Sequence, residues 1–70
     1  MDMSRVQDVE TLIRMEYLEM RDLKLTSSQL RRLLAIPADM CEQALESLVS
    51  SGFLARTPSG EFLLGRAWVP

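Results

Sequence analysis

The stretch LLAIPADMCEQALESLVSSGFL, Leu33 to Leu54, has both ends of a helix written into it. Pro37 suits the opening turn, because its ring fixes φ near the helical value and the donor it lacks is not needed there. Gly52 suits the close, since a left-handed residue past the last turn carries no steric penalty without a side chain. Between them Cys41, Ala44, Leu45, Leu48 and Val49 recur at spacings that gather them on one arc. Asp39, Glu42, Gln43, Glu46, Ser47 and Ser50 fill the opposite arc. A helix over about 38–51 with one buried and one solvated side is expected. In a chain of 70 residues the core is small, so the rest of the molecule must fold around such a helix.

The other segments supply what that helix needs to pack against. Val6, Val9, Ile13, Tyr17 and Met20 form a second stripe and predict a first helix over about 5–21, with Met15 and Leu18 projecting from its far side. Thr26 with Gln29 is a capping-box pair, in which each side chain satisfies a free backbone donor of the other at a helix start. A short helix over about 27–35 follows, with Leu30, Leu33 and Leu34 on one side and Arg31 and Arg32 facing out or to the flanks. Leu23 and Leu25 alternate just before the cap, the spacing of a very short strand. FLAR and EFLL flank TPSG, Thr57 to Gly60, and predict a β-hairpin over about 53–64 with its turn at Pro58 to Gly60. Residues 65–70 are a tail. The whole reads as one domain over 1–70, mainly α with a small β-hairpin (α+β). Leu45 and Leu48 are expected against Ile13 and Leu30, with Phe53 closing the hairpin side.

Composition narrows the chemistry. An apolar content of 47% supports a folded domain, and a net charge of −2 announces no broad polyanion-binding surface. Cys41 is the sole cysteine and histidine is absent, which removes disulfide frameworks, zinc knuckles and any Cys/His catalytic pair. With no metal cage and no nucleophile elbow, the expectation is a protein that is not an enzyme and uses no metal, cofactor or small-molecule substrate. No run approaches the roughly 18 apolar residues of a membrane span. MDMSRVQDVE has neither a basic n-region nor an apolar h-region, so the cytoplasm is the expected address.

The order helix, short helix, tight turn, helix, glycine and hairpin carries a resemblance. LTSSQLRRLLAIPADMCEQALESLVSSGFLARTPSGEFLL, Leu25 to Leu64, resembles the helix-turn-helix and wing of bacterial transcription regulators. Ala35 and Ile36 stand at the turn, Cys41, Leu45 and Leu48 at buried positions of the recognition helix, and Gly52, Phe53 and Leu54 at the entry to the wing. The resemblance implies a three-helix winged helix-turn-helix fold and a small DNA-binding regulator of transcription. It also implies a dimer, because two half-sites compensate for few contacts per subunit. The DNA-contacting positions fall on Ala38, Asp39, Met40, Gln43 and Ser47. Ala35 replaces the glycine often found at the turn, and Gln43 stands where many members carry a basic residue.

Charge runs against part of that implication. Residues 26–36 carry two basic groups and no acid, whereas residues 37–52 carry three acids and no base. Gln43 can pair bidentately with adenine and Ser47 can donate to a base or phosphate; both are also ordinary residues of an exposed helix. Asp39, Glu42 and Glu46 would face a field of like charge. Arg31, Arg32, Arg56 and Arg66 are the candidate phosphate contacts, with a solvated surface as the plainer reading of each. Met15 and Leu18 could form a dimer seam or take a partner, or be merely exposed. Trp68 must fold back, onto the first helix, or bind something. Cys41 is a redox sensor or, from its place on the apolar arc, a buried inert thiol. The rival function is a protein-interaction winged helix that uses Asp39, Glu42 and Glu46, or the far side of the first helix, without touching DNA.

Overall fold

The computed structural model describes residues 5–65. Its elements are α1 (Val6–Glu19), β1 (Leu25–Thr26), α2 (Ser27–Leu34), α3 (Ala38–Ser50), β2 (Leu54–Arg56) and β3 (Glu61–Leu64). Three helices pack with a three-stranded antiparallel sheet of order β1-β3-β2.

Local signals set most of the element ends. At the start of α2 the Gln29 backbone N–H donates to Thr26 Oγ1 (3.2 Å), and the Thr26 N–H donates to Gln29 Oε1 (2.8 Å). The α2 C-cap is Ala35, in the left-handed region at φ 53° and ψ 47°. An L-residue there costs roughly 1–2 kcal/mol, which explains why glycine is favoured at such positions. The reversal brings the Ile36 N–H to the Arg31 carbonyl (3.1 Å) and drives the Ile36 side chain into the core. Pro37 is the N-cap of α3, immediately before its first helical residue, and Gly52 at φ 86° follows the helix end.

The sheet joins distant pieces of the chain. Leu54 pairs with Leu64, Ala55 with Leu63 and Arg56 with Phe62, while Leu25 and Thr26 pair with Phe62 and Glu61 on the other edge of β3. The Tyr17 hydroxyl, fully buried, donates to the Phe62 carbonyl at 2.7 Å and fastens α1 to the central strand. Burial pushes its pKa up to about 12, against the smaller opposing effect of the Leu25 backbone.

The core runs through Val9, Ile13 and Tyr17 of α1, Leu30 of α2, Cys41, Ala44, Leu45 and Leu48 of α3, and Phe53, Leu54, Phe62 and Leu64 around the sheet, with Ile36 from the turn. Leu45, Leu48, Ile13, Leu30 and Phe53 share this one cluster. Met20, of the first-helix stripe, lies outside it, and so does Leu33 of α2. Met20 is 52% exposed because α1 ends at Glu19, so the stripe breaks one residue early. Leu33 is 56% exposed, because α2 buries only Leu30 fully and no other layer covers its flank. Val6, Leu34 and Val49 are half-buried against the cluster edge.

Candidate nucleic-acid interface

Each candidate residue owes its position to what its helix buries. With Cys41, Ala44, Leu45 and Leu48 turned inward, α3 turns Asp39, Glu42, Gln43, Glu46, Ser47 and Ser50 to solvent. Of the other positions implied by the resemblance, Ala38 is exposed and Met40 is half-buried against the core. Asp39 sits in the first turn, where a carboxylate is favoured by the helix dipole whatever the helix later meets.

Ser47 is occupied. Its hydroxyl donates to Glu10 Oε1 at 3.2 Å, which sets a carboxylate of α1 beside α3. Glu10 also lies 4.0 Å from Arg14, whose guanidinium stands over the Phe53 ring at 5.6 Å. Gln43 remains exposed and makes no side-chain hydrogen bond among the described residues.

The cations lie elsewhere. Arg31 and Arg32 are exposed on the last turn of α2 and, with Ser28, Ala35 and Ile36, line a shallow hollow of about 270 Å³. Arg56 is exposed on β2, its guanidinium over the Phe62 ring at 5.5 Å. Among the described residues the ion pairs are Glu10 with Arg14 and Lys24 with Glu61, so none of these three arginines is neutralised by a carboxylate. A second hollow, a groove of about 320 Å³, runs between α3 and the hairpin, with Glu42 and Glu46 on its α3 side and Arg56 on its hairpin side. Residues from 27 to 62 contribute to it, and no sequence spacing reveals it.

Cys41 is fully buried, with its Sγ 3.9 Å from the Ser27 carbonyl. Burial, and then the charge of Glu42, push the thiol above its ordinary pKa against the opposing influence of Arg31. A thiol held protonated and inside is a weak nucleophile, which fits the inert reading. Met15 and Leu18 are 52% and 42% exposed on the far side of α1. Arg66 and Trp68 lie outside the described residues. Among those described, no group of three His, Cys, Asp or Glu side chains could hold a metal ion, and no helix is long and apolar enough to cross a membrane.

Comparison of the chain with protein-family models finds no match. Neither curated proteins nor solved structures match it. The surface itself therefore carries the functional argument: a polar helix face that is acidic, flanked on α2 and on the hairpin by arginines that pair with no carboxylate among the described residues.

Proposed function

We propose that this chain is a winged helix-turn-helix module that binds duplex DNA and regulates transcription in the cytoplasm. In this reading Arg31, Arg32 and Arg56 hold phosphates and Gln43 faces base edges. One observation carries it: α2 and α3 meet through a left-handed turn at Ala35, and a β1-β3-β2 sheet folds its hairpin back beside α3. That arrangement leaves a helix face presented to solvent with a cationic element near each flank. The acids of α3 make it a reader that approaches the groove without gripping the backbone, so affinity rests on the arginines.

Fluorescence anisotropy with mixed-sequence duplex fragments over a salt series tests this directly. Each phosphate contact contributes about 0.9 to the slope of log affinity against log salt, so Arg31→Gln, Arg32→Gln and Arg56→Gln should each flatten it by about that amount. Glu42→Gln with Glu46→Gln should strengthen binding to all sequences alike, since it removes repulsion without adding base contacts. No binding at low salt even by that double variant would overturn the DNA reading.

A second reading is favoured by the uninterrupted acidity of α3 and by the exposed Met15 and Leu18 on α1. In it the module binds a protein through α3, or pairs with a second copy through α1. Met15→Glu with Leu18→Glu should then convert a dimer to a monomer in sedimentation with helicity unchanged. A parent that is monomeric at high concentration removes the α1 seam.

A further inference from the structure

The groove between α3 and the hairpin is more particular than the DNA reading needs. Its volume, about 320 Å³, is at the small end of ligand sites, which run from about 300 to 1,000 Å³. Glu42 and Glu46, one helical turn apart, supply negative charge from α3, and Arg56 supplies positive charge from the hairpin. Leu45, Val49 and Phe62 give the apolar lining. Opposite charges thus line one small space, yet no ion pair joins them; the ion pairs among the described residues are at Glu10 and Glu61. Arg56 is held instead on the Phe62 ring at 5.5 Å. A guanidinium stacked on an aromatic face keeps its hydrogen-bonding edge available, and that edge matches a carboxylate bidentately.

These charges select among ligands. A monoanion drawn to Arg56 meets the repulsion of Glu42 and Glu46, and a monocation drawn to the glutamates meets Arg56. A molecule carrying both charges satisfies both walls, and a short aliphatic middle covers the apolar lining. We infer that this groove binds a small aliphatic zwitterion, its ammonium against Glu42 and Glu46 and its carboxylate on Arg56. The site stands whether or not the chain binds DNA. Its occupant covers the side of α3 nearest the hairpin, so a ligand here competes with any larger partner on that face.

An NMR amide titration of the full chain tests the inference with glycine, γ-aminobutyrate and ε-aminocaproate. Caproate and n-hexylamine serve as single-charge controls. The expected result is saturable shifts centred on Glu46, Val49, Arg56 and Phe62 for one of the longer zwitterions, with both controls at least about tenfold weaker, the loss that follows from one charge-assisted contact. Arg56→Gln, and separately Glu42→Gln with Glu46→Gln, should each weaken the zwitterion about tenfold while the amide spectrum stays that of the folded parent. Controls that bind as well as the zwitterion would overturn the inference, because then one charge suffices. Shifts centred elsewhere, or none with any of the three zwitterions, would overturn it equally.

Discussion

Helices α2 and α3 are consecutive, are built alike on the inside, and are opposite on the outside. Each turns leucine toward the same core, Leu30 from α2 and Leu45 with Leu48 from α3. Outside, α2 presents Arg31 and Arg32 with no acid, and α3 presents Asp39, Glu42 and Glu46 with no base. The core constrains only the inward arc, because burial is set by apolar area and shape. The sign of the outward arc is free of that constraint and must be explained by local helix electrostatics or by what the surface meets. Asp39 has a local explanation in the first turn of α3; Glu42 and Glu46 do not.

The comparison breaks first on its inner side. Leu45→Ala should lower stability by about 2–5 kcal/mol, through lost burial and the cavity left behind, and thermal melting followed by circular dichroism reads this. A variant that melts like the parent would show that the two helices do not share a core. Tyr17→Phe comes next, at about 1–1.5 kcal/mol, since it removes the buried hydrogen bond to the Phe62 carbonyl. It also carries a pH signature. The folded-state pKa of about 12 lies above the ordinary 10.0, so the phenol's contribution is whole below that lower value and is lost as pH rises from about 10 toward 12. The stability gap between parent and Tyr17→Phe should therefore narrow across that interval in urea titrations.

Thr26→Ala should cost about 1 kcal/mol by removing one half of the reciprocal cap of α2. The outer changes are smallest in stability. Glu42→Gln with Glu46→Gln on α3, and Arg31→Gln with Arg32→Gln on α2, should each alter melting by no more than about 0.5 kcal/mol per site. Their effects on DNA affinity should have opposite signs, the first strengthening and the second weakening it. Equal signs would mean that the two faces do not meet the same polyanion.

What was legible in the sequence follows the same division. Capping pairs, stripes and turn residues act over a few positions, so the Thr26 and Gln29 box, the break at Gly52 and the arc of α3 could be read directly. The stripe of α1 overreaches at Met20, and the shared side of Leu30, Leu33 and Leu34 leaves Leu33 uncovered, because periodicity shows which side of a helix a residue lies on but not whether another element reaches far enough to cover it. The pairing of β1 with β3, the Tyr17 tie and the engagement of Ser47 by Glu10 join residues dozens of positions apart, and no spacing encodes them. The groove was hidden for that reason too, although its charges, Glu42, Glu46 and Arg56, had each been singled out separately.

Thr26 has a mechanical consequence. It is at once the last residue of β1, laid against Glu61 of the hairpin's return strand, and the cap that starts α2. Strand and helix therefore follow one another with no linker between them, since β1 runs directly into α2. The cap lies at the first turn of α2, and α2 carries Arg31 and Arg32 at its other end. Arg56 on the hairpin and Arg31 and Arg32 on α2 are thus carried by two elements that meet at this joint.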